Sequence, residues 1–452
     1  MVQAHCKRHK KVILINLPSP WLISDRDTTP NGILYIAAYL RKKGIPVSIT
    51  DLAGLPEEHW LIPDADIYGI SITTPQYPYA LKVVRKLKKR QDCKIILGGA
   101  HPVILPEKTS RETGVDHIIV GEGEKAMERI CLGKEKRRIV YEPLIKDIDE
   151  IPAPAVDLID IYEYLSIGTN AYIAGAKREA YIQTARGCPY NCAFCCQRNI
   201  WRGKVRNRSL KKVMEEVDNY LKRYKVDQIY FNDDTFILDE KRVYALCKEM
   251  KKRKVVWHCL SRADRVNPKI LKKMYSSGCR ALTYGIESGS DKILKLMNKM
   301  TNAKTGYGAV CMAKNAGLKV RAQMIVGFPG ETDETIKETA KFIKKTPADA
   351  WGFHAFVPFP GCDVWNNPKK YNFKIKSRNF GNFHTIGKPG EWKAIIHPQA
   401  DKVRKWLKFL ISIANKKNIF YYDVKGRKKF KKAVKYGEEE NCQKENKKNA
   451  KS

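Results

Sequence analysis

A chain of 452 residues is too long for one ordinary core, and a composition of 43% hydrophobic and 29% charged residues is that of a folded protein rather than a disordered one. It carries 85 Lys and Arg against 48 Asp and Glu, a net charge of +37 that would attract RNA, DNA or an anionic membrane. The basic residues are scattered (Arg85–Arg90, Lys248–Lys254, Lys425–Lys435) rather than set in one stripe, so solvated helix faces explain most of them and a specific nucleic acid partner, though still open, is not expected.

The start, His5 to Lys11, is basic, but the apolar run Val12–Asn16 behind it is too short for a signal peptide and reads as a strand. No run reaches the roughly 18 apolar residues of a membrane span, so a cytoplasmic chain without a membrane span is expected. Further strand-like runs follow at Val47–Ile49, Ile67–Ile72, Ile95–Leu97 and Ile118–Val120. Helical spacing lies between or after them, in Ile33–Leu40, Tyr79–Lys89 and Glu124–Leu132. Five strands with helical crossovers over residues 11–132 predict an α/β domain with a doubly wound parallel sheet. Its ligand is expected at the carboxyl ends of the strands, near Pro18-Ser19-Pro20, Thr73-Thr74-Pro75, Gly98-Gly99-Ala100-His101 and Gly121-Glu122-Gly123.

A polar, proline-containing connector spans 133–178, and the alternation restarts over 179–360. Strands are predicted near Tyr181, Gln228, Val255, Arg280, Val320 and Trp351, with helices such as Leu210–Tyr224, Glu240–Lys251 and Glu334–Ile343. Six such units are fewer than the eight of a closed barrel. Residues 361–424 form an extension with one helix, from Val403, Trp406, Leu407, Leu410, Ile411 and Ala414, and 425–452 form a basic tail.

Thirteen cysteines, an odd number without an export signal, suggest metal ligation or buried thiols rather than a disulfide framework. Three of them fall in Gly187-Cys188-Pro189-Tyr190-Asn191-Cys192-Ala193-Phe194-Cys195-Cys196, a C-x3-C-x2-C loop just after a strand. Cubane iron–sulfur clusters normally take four cysteines; three leave one iron open to a small molecule. A zinc site would want a fourth Cys or His at regular spacing, and no second C-x2-C pair is present. Cys196 could be imagined as a fourth ligand, but adjacent cysteines rarely direct both sulfurs to one cluster. Cys247, Cys259, Cys279 and Cys311 sit within helix or strand patterns, as buried apolar residues do.

With an aromatic residue before its third cysteine, this motif resembles that of the radical S-adenosylmethionine (SAM) superfamily, whose fold is a partial (β/α)6 barrel. The resemblance implies a [4Fe-4S] cluster on Cys188, Cys192 and Cys195, whose open iron chelates the amino and carboxylate groups of SAM. Reductive cleavage then gives a 5′-deoxyadenosyl radical. Phe194 would lie on the SAM side of the loop. Asp233 or Asp234 would hold the SAM amino group, Arg262 its carboxylate and Glu287, beside Ser288, its ribose. The Ile325-Val326-Gly327-Phe328-Pro329-Gly330-Glu331 segment resembles the adenine side. Cys362, after the sixth strand, is the one further cysteine to test for catalysis. The carboxylates and glycines also have plain readings as caps, ion pairs and turns.

Residues 11–132 are similar to the cobalamin-binding domain that precedes the barrel in one large subfamily. The matching pieces are Pro30-Asn31-Gly32-Ile33-Leu34-Tyr35-Ile36-Ala37, Gly98-Gly99-Ala100-His101-Pro102 and Val120-Gly121-Glu122-Gly123-Glu124. Thr73, Thr74, Gly98, Gly99, Gly121, Glu122 and Gly123 would then contact cobalamin. The D-x-H-x-x-G segment that supplies a cobalt ligand in some cobalamin proteins is absent: Asp51-Leu52-Ala53-Gly54 lacks the histidine. His101, a lone loop histidine, is expected to form hydrogen bonds rather than to ligate.

The resemblance implies a cobalamin-dependent methyltransferase acting on an unactivated carbon of a small-molecule or peptide substrate. An external electron donor such as flavodoxin or ferredoxin would supply reducing equivalents. Cyclisation or rearrangement by the same radical remains an alternative, as does RNA modification. Sulfur-inserting RNA enzymes, however, carry three further cysteines before the barrel, where this chain has only the dispersed Cys6, Cys93 and Cys131. Retained SAM segments argue against a non-catalytic sensor. The substrate pocket is expected among the barrel strands, the domain interface and residues 360–400, with His384, Trp392 and His397.

Overall fold

The computed structural model describes residues 10–22, 24–90, 92–165, 177–385, 396–415 and 420–421. Trp392 and the basic tail 425–452 lie outside them. In the first domain Val12–Asn16 (β1), Val47–Asp51 (β2), Ile67–Ser71 (β3), Lys94–Gly98 (β4), His117–Val120 (β5) and Ile139–Tyr141 (β6) form a parallel sheet, in the order β2-β1-β3-β4-β5-β6. Its apolar runs are continuous because both faces are covered. In β1, Val12 and Leu14 enter one core and Ile13 and Ile15 the other, the two-residue period dividing one run between two helical layers. The sixth strand, β6, falls where a connector was expected. Only Val140 of its three residues is buried, so no apolar run marks it in sequence.

The second domain contains Glu179–Ile182 (β7), the antiparallel pair Ala185–Arg186 (β8) and Arg206–Asn207 (β9), then Gln228–Phe231 (β10), Val256–Ser261 (β11), Cys279–Glu287 (β12), Lys319–Val326 (β13), Ala350–Ala355 (β14) and Phe420–Tyr421 (β15). Seven of these form one parallel sheet in the order β15-β14-β13-β12-β11-β10-β7, a partial barrel with β7 and β15 at its two edges. The helices between strands begin at polar caps. Ser209, Asp239, Asn267, Asn302 and Thr332 each accept the backbone N–H three residues on. Such a cap contributes about 1 kcal/mol. Asp239, and not the Asp233-Asp234 pair, thus starts the helix at Glu240. Cys247, Cys259 and Cys279 are buried in the barrel's outer core, as expected, and Cys311 is half-buried. No helix among the described residues is long and apolar enough to cross a membrane.

The two sheets present their carboxyl edges to one another. Val357, Phe380, Phe383 and Ile396, all beyond β14, join the core of the first domain. A side chain on Gly361 would press on Ile104, at the end of the short helix Ala100–Ile104 that follows β4. The helix Ala400–Asn415 packs Val403, Trp406, Leu407 and Leu410 onto the barrel. It closes over Gly327 (φ 89°), where an added Cβ would lie 2.6 Å from Val403 Cγ2. His397 Nε2 meets the Gly327 carbonyl at 2.7 Å, and the Gly327 N–H donates to Glu331.

Burial pushes the Glu331 carboxyl up from its ordinary 4.5 to about 8. The folded protein therefore holds a proton that the unfolded chain releases, and stability falls as pH rises between those two values. Glu331→Gln keeps an oxygen for the Gly327 N–H and should remove on the order of 2 kcal/mol of this decline. Denaturation midpoints of both proteins at about pH 6 and about pH 8.5 check it; equal declines would refute the assignment.

Candidate functional site

The cysteine loop leaves the end of β7 under control of Asp233. This buried carboxylate accepts the backbone N–H groups of Thr184 (2.6 Å) and Ala185 (3.1 Å) and the Thr184 hydroxyl (2.5 Å). Gly187 follows at φ 104°, where any side chain would collide with the Lys204 carbonyl. Farther on, the Ala193 N–H donates to the Met297 carbonyl (2.8 Å) and the Asn298 amide to the Asn191 carbonyl (2.7 Å). Asn298 and Met300 are left-handed (φ 49° and 56°), and Lys299 between them is turned inward and buried.

Cys192 is buried, and Cys188 and Cys195 are half-buried. Burial pushes the thiols of Cys192 and Cys195 up, while Lys299 and Arg262 pull that of Cys192 back. Arg262 Nη1 lies 3.8 Å from Cys192 Sγ, and Lys299 Nζ lies 5.6 Å from the centre of the Phe194 ring. Among the described residues no three His, Cys, Asp or Glu side chains gather closely enough for one metal ion. Three thiols with two cations beside them suit an anionic cluster. Cys196 opens the short helix Gln197–Trp201, and burial pushes its thiol up to about 11.

The residues expected to hold SAM surround this loop and differ in what they have left to offer. Both oxygens of Asp233 serve the β7 end. Asp234 is outside that network; burial, then the charge of Asp233, raises its carboxyl to about 6. Arg262 is tied to Asp264 through two nitrogens (2.8 and 3.1 Å), donates to the Lys299 carbonyl (2.6 Å) and stacks 3.8 Å from the Tyr190 ring centre. Glu287 takes a left-handed backbone (φ 69°) and pairs with Lys299 at 2.9 Å. Ser288 accepts the Ser290 N–H and faces the Thr339 hydroxyl. The fully buried Cys362 sulfur accepts the Trp365 N–H as a helix cap (3.4 Å), and burial lifts its thiol to about 12.

At the facing edge of the first domain, Thr73 and Gln76 form a capping box whose amide reaches the Leu17 carbonyl (3.2 Å) and Ser19 hydroxyl (3.1 Å). This bridges the loops after β1 and β3, where the strand order reverses and open α/β sheets bind ligands. Gly99 (φ 95°) lies against the Ile72 backbone, so no side chain fits there, while Gly98 has room. Thr74 faces His101 Nδ1 at 3.3 Å. His101 is fully buried between Tyr77 and Phe380, held neutral by burial, its pKa pushed down to about 4, and its Nε2 has no partner. A buried polar atom left unanswered beside this crevice suits a large ligand with hydrogen-bonding groups on its rim, as cobalamin has.

The last expected contacts lie at the domain junction. Arg186, immediately before Gly187, donates to Glu122 (2.6 Å) and Glu124 (2.9 Å); Glu122 also takes Arg206 and the Ile145 N–H (2.6 Å). Both Glu122 oxygens thus serve protein partners. Gly121 packs on the Glu142 carbonyl and Gly123 on Ile36. Lys299, Arg186 and Arg206 were missed in sequence. Arg186 could have been noticed as a basic residue abutting the cysteine loop, whereas nothing local marks Lys299.

Comparison with known proteins matches residues 182–343 to the Radical SAM superfamily and residues 24–131 to the B12 binding domain. An uncharacterized methyltransferase of Pyrococcus horikoshii is 30% identical over 83% of this chain and 85% of its own length. The anaerobic magnesium-protoporphyrin IX monomethyl ester cyclase of Rubrivivax gelatinosus is 27% identical over 76% of this chain and 68% of its own. The fold is shared with the radical SAM methyltransferase TsrM of Kitasatospora setae, solved with cobalamin and a [4Fe-4S] cluster bound (TM-score 0.62, 16% identity, 78% of this chain and 77% of that one). It is shared also with the cobalamin-dependent SAM radical enzyme OxsB (TM-score 0.64, 20% identity, 80% of this chain and 56% of that one). The chain belongs to the radical SAM superfamily, in the branch with a B12-binding domain, and is an enzyme whose cofactors are a [4Fe-4S] cluster, SAM and cobalamin.

Proposed function

We propose that the enzyme transfers a methyl group to an unactivated carbon of a small-molecule or peptide substrate, in the cytoplasm and with electrons from an external flavodoxin- or ferredoxin-like donor. The observation that carries this reading is the meeting of the two carboxyl edges through Arg186, Glu122 and Glu124. A cobalamin held on one edge would then face a cluster held on the other, with room for the substrate between.

The bound groups supply the hard chemistry: reductive cleavage of SAM at the cluster and methyl carriage by cobalamin. Cys188, Cys192 and Cys195 hold the cluster, and Arg262 and Lys299 offset its charge. Asp234, rather than the fully engaged Asp233, accepts the SAM amino group. Glu287, oriented by Lys299, faces the ribose. Gly98, Gly99, Thr73, Thr74 and His101 form the cobalamin crevice, while Glu122, Gly121 and Gly123 position that edge without touching the ligand. Residues 11–132, 133–178, 179–360 and 361–424 act as cobalamin domain, connector, barrel and substrate-side extension, with β6 added to the first. A cyclase among the relatives keeps radical cyclisation as the second reading.

Two experiments test this assignment. Cys188→Ala, Cys192→Ala and Cys195→Ala should each lose the roughly four irons bound on anaerobic reconstitution and all SAM cleavage, with Cys196→Ala retaining most of both. Iron counts and deoxyadenosine release provide the check, and full activity in the three ligand variants would defeat the reading. Arg186→Met leaves Glu124 without its cation and should weaken domain docking by about 3–5 kcal/mol. Cleavage within 133–178 at lower protease levels would show it, with Arg186→Lys less affected; unchanged cleavage would contradict the junction's role.

A further inference from the structure

The outer side of the cysteine loop is a surface that the cofactor sites do not use. The helix Asp291–Leu296 runs into a turn, residues 297–300, that is fastened to the loop. The Ala193 N–H donates to the Met297 carbonyl and the Asn298 amide to the Asn191 carbonyl, while Arg262, beside Cys192, donates to the Lys299 carbonyl. Lys299 is buried, but the next side chain, Met300, is 71% exposed. Its left-handed backbone (φ 56°) is costly for any residue but glycine, and no burial of the side chain offsets that cost. Leu296, just before the turn, is also exposed. On the loop itself Asn191, bonded to Cys192, is exposed, and Pro189, bonded to Cys188, is half-buried together with Tyr190.

Exposed cations flank this patch. Arg198 donates to the Pro189 carbonyl (3.0 Å) and Arg265 to the Tyr190 hydroxyl. Lys292 and Lys295, three apart on the helix before the turn, are exposed and share one face. The carboxylates nearest to them in the chain are engaged, Asp264 by two nitrogens of Arg262 and Asp291 by the Ala303 N–H (2.7 Å). The patch thus combines apolar contacts with positive charge, on a chain whose net charge is +37. Opposite charge steers and orients an encounter, and electron-transfer partners meet over small interfaces, below about 1,200 Å². A surface of this make-up, one covalent bond from Cys188 and Cys192, suits an acidic protein that approaches closely, gives up an electron and leaves.

We propose that this face is where the electron donor docks, a small acidic flavodoxin with carboxylates on Arg198, Arg265, Lys292 and Lys295 and the apolar edge of its flavin over Met300. The apolar contact favours a flavin, whose edge is exposed, over an iron–sulfur centre enclosed in cysteine loops. One electron leaves the reduced flavin and enters the cluster, so the flavin is oxidised and the cluster reduced by one electron each. This rests on the radical SAM reading above and adds the partner and its footing to it.

Oxidised flavodoxin is titrated calorimetrically into anaerobic full-length protein carrying its cluster, over a series of ionic strengths. Three variants are titrated alongside: Lys292→Glu with Lys295→Glu, Met300→Glu alone, and a control of equal charge change, Lys248→Glu with Lys251→Glu on the helix Glu240–Arg253. The first should bind about tenfold more weakly or worse, since like charges then face one another, and should lose much of the salt dependence. Met300→Glu should also bind more weakly, and the control should match the unsubstituted protein. SAM cleavage driven by dithionite, which needs no docking, should be the same in all of them. Cleavage driven by reduced flavodoxin should show a raised KM for flavodoxin in the first two variants only. Equal flavodoxin affinity throughout, or an equal loss in the control, would overturn the proposal. So would a ferredoxin whose binding depends on these residues when that of flavodoxin does not. If the lysine variant does not fold, Met300→Glu decides alone. Absence of dithionite-driven cleavage in the unsubstituted protein would sink the enzymatic reading and leave the binding comparison intact, so the two failures are distinguishable.

Discussion

The buried ion cluster of Arg186, Arg206, Glu122 and Glu124 is the constraint on which the site depends. Taking such charges out of water costs several kcal/mol each and is offset only in good geometry. The guanidinium of Arg186 reaches one carboxylate through each of two nitrogens, and the side chains involved are at most 10% exposed. A small slip between the domains would leave unpaired charge in a dry interface, so one arrangement is strongly preferred. Because Arg186 is chemically bonded to Gly187, the same contact sets where the cysteine loop begins.

Around that loop, two opposing effects act on the same atoms. Burial raises the thiols and holds protons on them, while Arg262 and Lys299 favour the thiolate. A bound iron would displace a coordinating thiol's proton outright, so the cations' part would be to steady the charge that remains. They are themselves steadied, Arg262 by Asp264 and Tyr190, Lys299 by Glu287. Glu287 adopts a costly left-handed backbone to reach this pairing, the kind of strain that collects at functional sites.

Much of this was legible in sequence. Continuous apolar runs marked the strands of the first sheet, and strand ends placed the glycine loops, because those signals are local. The strand β6 was not legible, since only Val140 is buried and its pairing with β5 is what makes it a strand. In the site, the cysteine spacing singled out the loop after β7. It could not separate Asp233 from Asp234, which differ only in what Thr184 and Ala185 donate to. Nor could it show that Glu122 faces two arginines, 64 and 84 residues farther along the chain. The 2.8 Å contact between Gln323 of β13 and His354 of β14 was overlooked although β13 alternates, because without the barrel the inward face cannot be told from the outward one.

The cations beside Cys192 bear also on how readily an electron enters. Reduction adds negative charge to a cluster, and hydrogen bonds to its sulfurs and nearby positive charge raise its reduction potential. An Arg262 N–H directed at the Cys192 sulfur, with Lys299 close behind, would therefore ease reduction of a cluster held in this loop. The same two side chains that would let an anionic centre sit in an apolar loop would thus also set how strong a reductant it needs, a property written partly into Arg262 and Lys299.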